Sequence, residues 1–416
     1  MNQTDQKSPK SSPHILGGAM IIAGTAIGGG MLSLPIISAG MWFGWSILIL
    51  IFCCFCAYSS AMYLAEANMN YKTGVNYATM AKDTLGKLGS VGSFISVGFV
   101  SYILCYAYVS GGSSVLSSTF NSAFNIQLPT WQYSVIFGAV LGLIVMLGSR
   151  TVDRVSTIMI VAMVISFVWS IVELSSNIKV NYLFPATPMS DFLPYIWVGI
   201  PVLAISFGFH STVPSIVKHY NKDIKKSQRA ILYGSLLTLT IYIIWQLAIL
   251  GSVDRGDFNA LVSQGGNVNT LIQSVSGSTA SSLVDGLLSF FAKFALASSF
   301  LGVALGLLDF IKDLFNLNET KAQHWAAGAI TFIPVIVLGA AIPNGFIVAI
   351  GYASLLASIF VFILPCSIAL VCRQRGKSKT YRLAGGQARL YFVLLFGVLV
   401  FICEALALLG LLPTFL

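Results

Sequence analysis

Eleven stretches of about 20 predominantly apolar residues follow one another along this chain. Each is long enough, at ~1.5 Å per residue, to cross a hydrocarbon layer ~30 Å thick as a helix. They lie near residues 15–38, 42–67, 91–118, 132–148, 155–175, 193–217, 230–251, 283–308, 326–342, 346–371 and 390–412. Inside lipid a backbone must satisfy its own polar groups, so runs of this length predict an all-α polytopic membrane protein. Composition agrees: only 9% of the 416 residues are charged, against ~25% in soluble domains. A soluble enzyme, a nucleic-acid-binding module and a disordered regulator are excluded on that ground.

The net charge of +9 acquires a meaning once it is sorted by side. With the N-terminus placed in the cytoplasm, twenty of the 23 basic residues fall in segments on the inner side. The outer segments hold Lys179 and Arg255, and Lys293 lies within a span. Such asymmetry is an orientation signal rather than an affinity for nucleic acid. It predicts a cytoplasmic N-terminus and, by parity, a periplasmic C-terminus. Residues 1–14 read as a disordered cytoplasmic tail, and a cleaved signal peptide is not expected because the first apolar run is too long and more follow. The seven cysteines sit in or beside apolar runs and form no disulfide framework. Residues 252–282, outside, carry two short apolar clusters around Gly265-Gly266 and suit either a helical lid or a solvated loop.

Two spans contain sequence that a lipid-facing helix avoids. In the first, Gly24, Gly28, Gly29 and Gly30 fall within seven residues, followed by Pro35; each glycine costs a helix roughly 1 kcal/mol relative to alanine. In the sixth, Ser206 to Ser215 brings together Gly208, His210, four hydroxyls and Pro214. Interrupted helices at corresponding places in two halves of a chain point to a transporter's midplane site. Unwound backbone there must face a ligand or a water-lined cavity. N–H groups at Gly28, Gly29 and Gly30, at the positive end of a half-helix, suit a carboxylate. Carbonyls near Thr25, Ala26, Ser206 and Phe207 suit an ammonium. Together they describe a site for a zwitterionic amino acid.

Other polar residues at depth are candidates for that site. His210 is a substrate contact or a proton carrier, flanked by the rings of Phe207 and Phe209. Tyr102 and Tyr106, one turn apart, are placed to offer a hydroxyl, and Ser299 to line the vestibule or bind Na⁺. Lys293 is expensive at its depth unless paired, either as a coupling charge or as a partner of Asp285, Glu173 or Glu404. Asp309 and Asp313 have the D-x-x-x-D spacing of Mg²⁺-dependent membrane prenyltransferases, but no second acidic cluster accompanies them. No H-E-x-x-H, P-loop or Ser/His/Asp pattern is present. Neither an enzyme, a cofactor nor a metal is therefore expected, and paired broken helices favour alternating access over a passive channel.

The segments Ile22 to Met31, Glu66 to Tyr71, Tyr102 to Tyr108, Phe207 to Ser215, Ala297 to Leu307, Pro343 to Phe346, Ile350 to Ala353 and Gly385-Gly386 resemble the bacterial aromatic amino acid permeases, the tryptophan and tyrosine permeases. The resemblance implies a leucine-transporter-type fold of eleven spans. Two inverted five-helix repeats (15–175 and 193–371, with helices one and six broken) would precede an extra helix at 390–412. It also implies import of an aromatic amino acid across the inner membrane by proton symport. Trp42 to Trp45, Glu66 to Tyr71 and Gly265 to Asn267 look closer to the tryptophan permeases. A tyrosine permease and a Na⁺-coupled symporter are the alternatives. Lys293 departs from the family pattern and bears on coupling.

Overall fold

The computed structural model describes residues 14–415 except 74, 76, 126, 264, 265, 280, 281, 318, 319 and 377–380. The polar tail before His14 and Gly265 of the outer segment lie outside the described residues. Every regular element is helical among those described. Among the described residues nine helices are long and apolar enough to cross a membrane, and α1 (Ile15–Ala26) with the following Gly29–Ser38 makes a tenth, bent by 54° at Ile27–Gly28. The apolar helix at 130–146, α5 below, is shorter, at 17 residues.

After the bend, α2 (Ser33–Ser38) completes the first span and α3 (Trp42–Asn68) returns. The segment Tyr77 to Leu85 is continuous with the third span. Together they form α4 (Tyr77–Phe124), interrupted by Gly86 at φ 62°, ψ −139°. The left-handed φ needs a glycine there. Next come α5 (Thr130–Met146), α6 (Ser149–Ser175) and the single turn α7 (Val180–Leu183). The sixth apolar stretch is α8 (Ile196–Ile205), a break, and α9 (Val213–His219). α10 (Ile224–Ser252) starts on an Asp223 cap that accepts from the Lys226 N–H at 3.1 Å.

Residues 252–282 contain two helices, α11 (Arg255–Ser263) and α12 (Val268–Thr279). Their apolar clusters are buried: Phe258, Leu261, Leu271, Ile272 and Val275 are at most 3% exposed. Phe258 meets the Trp42 ring edge-on at 5.5 Å. Arg255 reaches the Gly40 carbonyl at 3.1 Å and lies over the rings of Phe192 and Phe415. The chain closes with α13 (Ser282–Phe315), α14 (Lys321–Ala341), α15 (Phe346–Ser358), a π-turn at Ile359–Ile363, α16 (Leu364–Gln374) and α17 (Gly386–Leu408).

Packing sorts the helices into two groups. In one, α10 lies along α1 and α3, and α3 packs on α8 and α9. The contact is close because Gly234 of α10 faces Ile22 and the Ala19 carbonyl, where a methyl would collide. In the other group α13 packs on α6 and α4, and α14 on α5. α15 touches both groups, through α4 and α8. Large apolar side chains such as Leu147, Ile158 and Leu395 are two-thirds or more exposed around the outside, as a lipid-facing surface requires.

At the end of the bundle that carries α3's C-terminus, basic side chains act as fasteners. Arg373 grips Glu66 with two N–H···O bonds of 2.7 Å, and the Leu383 N–H adds a third at 2.9 Å. Arg375 donates to the Asp83 and Thr84 carbonyls, Arg389 to Ser59, and Lys222 to the Met69 and Tyr71 carbonyls. Breaking a buried pair by removing one partner costs more than replacing both. Glu66→Ala is therefore expected to destabilise the protein by about 3–5 kcal/mol, and the Glu66→Leu, Arg373→Met pair by much less. Thermal unfolding in detergent decides it; equal losses in the two variants would contradict the pairing argument.

Candidate functional site

The first break is shaped by glycine's lack of a side chain. α1 ends with its last N–H, that of Ile27, on the Ala23 carbonyl at 2.8 Å. Gly28 is fully extended, a conformation open to any residue, so close approach is what demands glycine here. A methyl on Gly28 would collide with Ser299 Oγ, and one on Gly29 would come within 2.9 Å of the Tyr108 ring. The Gly29 N–H donates to Ser299 Oγ at 2.9 Å, and the Tyr108 hydroxyl faces the same serine. A methyl on Gly24 or Gly30 would meet nothing within 4 Å. The break therefore has a packed side, formed by α13 and α4, and an open side.

The second break runs from Ser206 to Phe209, with a 3-10 turn at His210–Thr212 leading into α9. Phe207 turns its carbonyl to the Phe209 N–H at 2.9 Å, and the Thr212 hydroxyl donates to the Phe209 carbonyl at 2.7 Å. Tyr242 of α10 joins the two breaks. Its wholly buried hydroxyl lies 2.8 Å from the Ala26 carbonyl and 2.7 Å from the Ser206 carbonyl, sharing one proton between two acceptors. Two carbonyls released by two different helices thus converge on one point. That point suits a donor with several N–H groups, and the Gly29 N–H lies three residues along the same break.

The residues expected at the site divide in the structure. Ala26, Gly28, Gly29, Ser206 and Ser299 meet there through the contacts just described. Thr25 is exposed beside them, its hydroxyl returned to the Ile21 carbonyl of its own helix at 2.7 Å. Phe207 is fully buried and packs on Tyr242, ring centroids 5.3 Å apart. Phe209 stacks on His210 at 5.3 Å and 16°. His210 is itself wholly buried and faces Phe362 of the π-turn, with the backbone of Ala57 in α3 as the polar group nearest in effect. Neither ring nitrogen makes a hydrogen bond in this packing. Tyr102 donates to the Ile330 carbonyl and Tyr106 to the Ile342 carbonyl, so both hydroxyls are committed to α14 and the turn after it. Lys293 is half-buried on α13 and has no ion pair among the described residues; Asp285 is the acid whose charge reaches it. Glu404, 4% exposed, stands against Gly351 rather than against a base.

Three contributors lie outside the sequence reading. Tyr242 and Tyr108 are tyrosines in apolar helices with no neighbouring break to single them out. Tyr108 did fall within the Tyr102–Tyr108 segment, where the tyrosine spacing was the available signal. The π-turn at Ile359–Ile363 has no glycine or polar mark. Its loosened carbonyls are taken by side chains from elsewhere, Phe360's by Tyr77 at 2.8 Å and Val361's by Ser60, as such turns require.

Comparison with known proteins follows the same direction. A family model described as the tryptophan/tyrosine permease family matches residues 11–404. A tryptophan-specific transport protein of Pseudomonas aeruginosa is 39% identical, with all of both chains covered. The low affinity tryptophan permease of Escherichia coli K12 is 36% identical over 96% of this chain and 97% of its own. A tyrosine permease of Enterobacter agglomerans is 34% identical over 98% and 99%. Among solved structures, Mhp1, a nucleobase-cation-symport-1 family transporter in a closed conformation with bromovinylhydantoin bound, shares the fold. Its TM-score is 0.59 at 14% identity, over 99% of this chain and 94% of that one.

Two outcomes test the geometry of the breaks. Tyr242→Phe leaves two partly buried carbonyls without their donor and is expected to lower stability by about 1–3 kcal/mol. Gly28→Ala is expected to be far better tolerated when Ser299→Gly accompanies it, with a coupling of about 0.5–3 kcal/mol between the two sites. Thermal unfolding of the purified variants measures both. Additive effects of the Gly28 and Ser299 changes would show that they do not touch.

Proposed function

The chain belongs to the tryptophan/tyrosine permease family, and from that premise we propose that it carries tryptophan inward by proton symport. It is an importer of aromatic amino acids and not an enzyme. The proposal takes the spans as eleven, counting α5, with two inverted repeats at 15–175 and 193–371 and an extra helix at 390–412. The N-terminus lies in the cytoplasm, the C-terminus in the periplasm and α11–α12 over the periplasmic mouth. What supports this arrangement is the sidedness of the basic residues, the pair of breaks five spans apart, and the fold shared with Mhp1.

The observation that carries the reading is the meeting of both breaks at Tyr242. The substrate's ammonium takes the Ala26 and Ser206 carbonyls, displacing or sharing the Tyr242 proton. Its carboxylate takes the N–H groups of Gly28, Gly29 and Gly30. The ring lies on the open side of Gly30, while Phe207 and Phe209 support the site from behind. On α13, the residues that follow Ser299 at helical spacing, Gly302, Gly306, Asp309 and Asp313, are all exposed. With the opposite end covered by buried Phe258 and Leu261, this supports a vestibule open toward the cytoplasm.

His210 is the proposed proton carrier. Protonation turns the second ring nitrogen into an N–H donor as well, and this favours a rearrangement against α3 and the π-turn. Lys293 contributes a fixed positive charge to the same coupling.

Purified protein in liposomes tests the proposal. An inward proton gradient is expected to accumulate labelled tryptophan, and unlabelled tyrosine to compete more weakly than unlabelled tryptophan. His210→Ala is expected to keep tryptophan binding within a few-fold and to lose proton-driven accumulation. Uptake driven by Na⁺ at zero pH difference would refute proton coupling, and failure of both amino acids to accumulate would refute the substrate.

A further inference from the structure

Two segments of the resemblance, Glu66 to Tyr71 and Gly385-Gly386, take no part in the site between the breaks. In the fold they meet at one place. Arg373 binds Glu66 through Nε and Nη2, and its Nη1 donates to the Gly386 carbonyl at 3.0 Å. These three bonds use three of its five N–H groups, and its charge is balanced by Glu66. Beside this network lies a cavity of about 150 Å³, lined by Arg373, Gln374, Arg382, Leu383, Gly386 and Gln387.

The chemistry of the walls selects the occupant. Arg382 supplies a second guanidinium, on an exposed residue. The floor is the first turn of α17, a 23-residue helix whose leading N–H groups have no acceptor within the helix and carry its positive end. Gly385 and Gly386 enter that turn with φ of 98° and 63°, a backbone that L side chains rarely adopt. Residues 373–389 contain six basic side chains and no acidic one. The one carboxylate in the network, Glu66, is already bound to Arg373. A cation would meet two guanidinium charges here, whereas a tetrahedral oxyanion finds guanidinium forks and backbone N–H groups together.

Position then selects the source. Gln374 is the last residue of one candidate span and Gly386 the first of the next, so the cavity opens where both helices leave the hydrocarbon. Phospholipid phosphates lie at that level, and basic pockets between helices at the cytoplasmic face take anionic head groups. We infer that this cavity binds the phosphate of an anionic phospholipid. Arg382 and the α17 N-terminus hold the phosphate oxygens, and the amide side chains of Gln374 and Gln387 face a hydroxylated head such as glycerol. The site is independent of the transport reading and survives its failure.

The test uses full-length protein purified in detergent, with phosphatidylglycerol or phosphatidylcholine added and bound lipid counted by native mass spectrometry. Wild type is expected to retain phosphatidylglycerol in preference to phosphatidylcholine. Arg382→Ala is expected to weaken that retention about tenfold or more, the value of one charge-assisted contact, with Arg382→Lys intermediate. The unfolding temperature without lipid, measured for wild type and both variants, separates loss of binding from loss of fold. Equal retention of the two lipids by wild type, or unaltered phosphatidylglycerol binding in Arg382→Ala, overturns the inference. Inorganic phosphate that displaces the lipid and alone raises the unfolding temperature would assign the site to free phosphate and overturn the lipid.

Discussion

Everything in this molecule is arranged around the cost of bare backbone at membrane depth. Opening a helix releases N–H and C=O groups that hydrocarbon cannot satisfy, each at several kcal/mol. The protein opens two helices and meets the cost with side chains from intact neighbours. Tyr242 takes the Ala26 and Ser206 carbonyls, and Ser299 takes the Gly29 N–H. The same solution recurs at the π-turn, where Tyr77 and Ser60 cover the Phe360 and Val361 carbonyls. Hydroxyls suit this work because they cap a backbone group without bringing a charge into a low-dielectric site.

How much of this was legible in the sequence depends on whether the relevant force acts along the chain or across it. Span length, the glycine-rich break and the Gly208–Pro214 break are local, and each left a compositional mark. The sidedness of the basic residues is likewise a sum over many charges along the chain, and it supports the proposed orientation. The partners of those charges left no such mark: nothing near Arg373 in sequence indicates Glu66, 307 positions away. Tyr242 escaped notice for the same reason. A tyrosine in an apolar helix looks like any core aromatic until two breaks from elsewhere converge on its hydroxyl. His210 was legible as unusual, yet its surroundings were not, because stacking on Phe209 and contact with Phe362 are properties of the fold. Tyr102 and Tyr106 illustrate the converse: helical spacing correctly placed two hydroxyls on one helix, but it carried no information about the α14 carbonyl and the following turn that occupy them.

The two helix groups give the site an asymmetry that bears on the proposed transport cycle. Tyr242 belongs to α10, in the group that contains both broken spans. Ser299 belongs to α13, in the other group. The carbonyl pair is therefore held within one body, while the Gly29 N–H is held across the boundary between two. If the groups rock against each other, the Tyr242 contacts travel intact and the Gly29–Ser299 bond is the one that breaks. In the proposed site the substrate's ammonium end stays with the moving body. Its carboxylate end competes with Ser299 for the same N–H, so the ligand acts on the boundary directly. A ligand shifts a conformational equilibrium only through differential interaction with the two states, and the carboxylate end is where this geometry provides it.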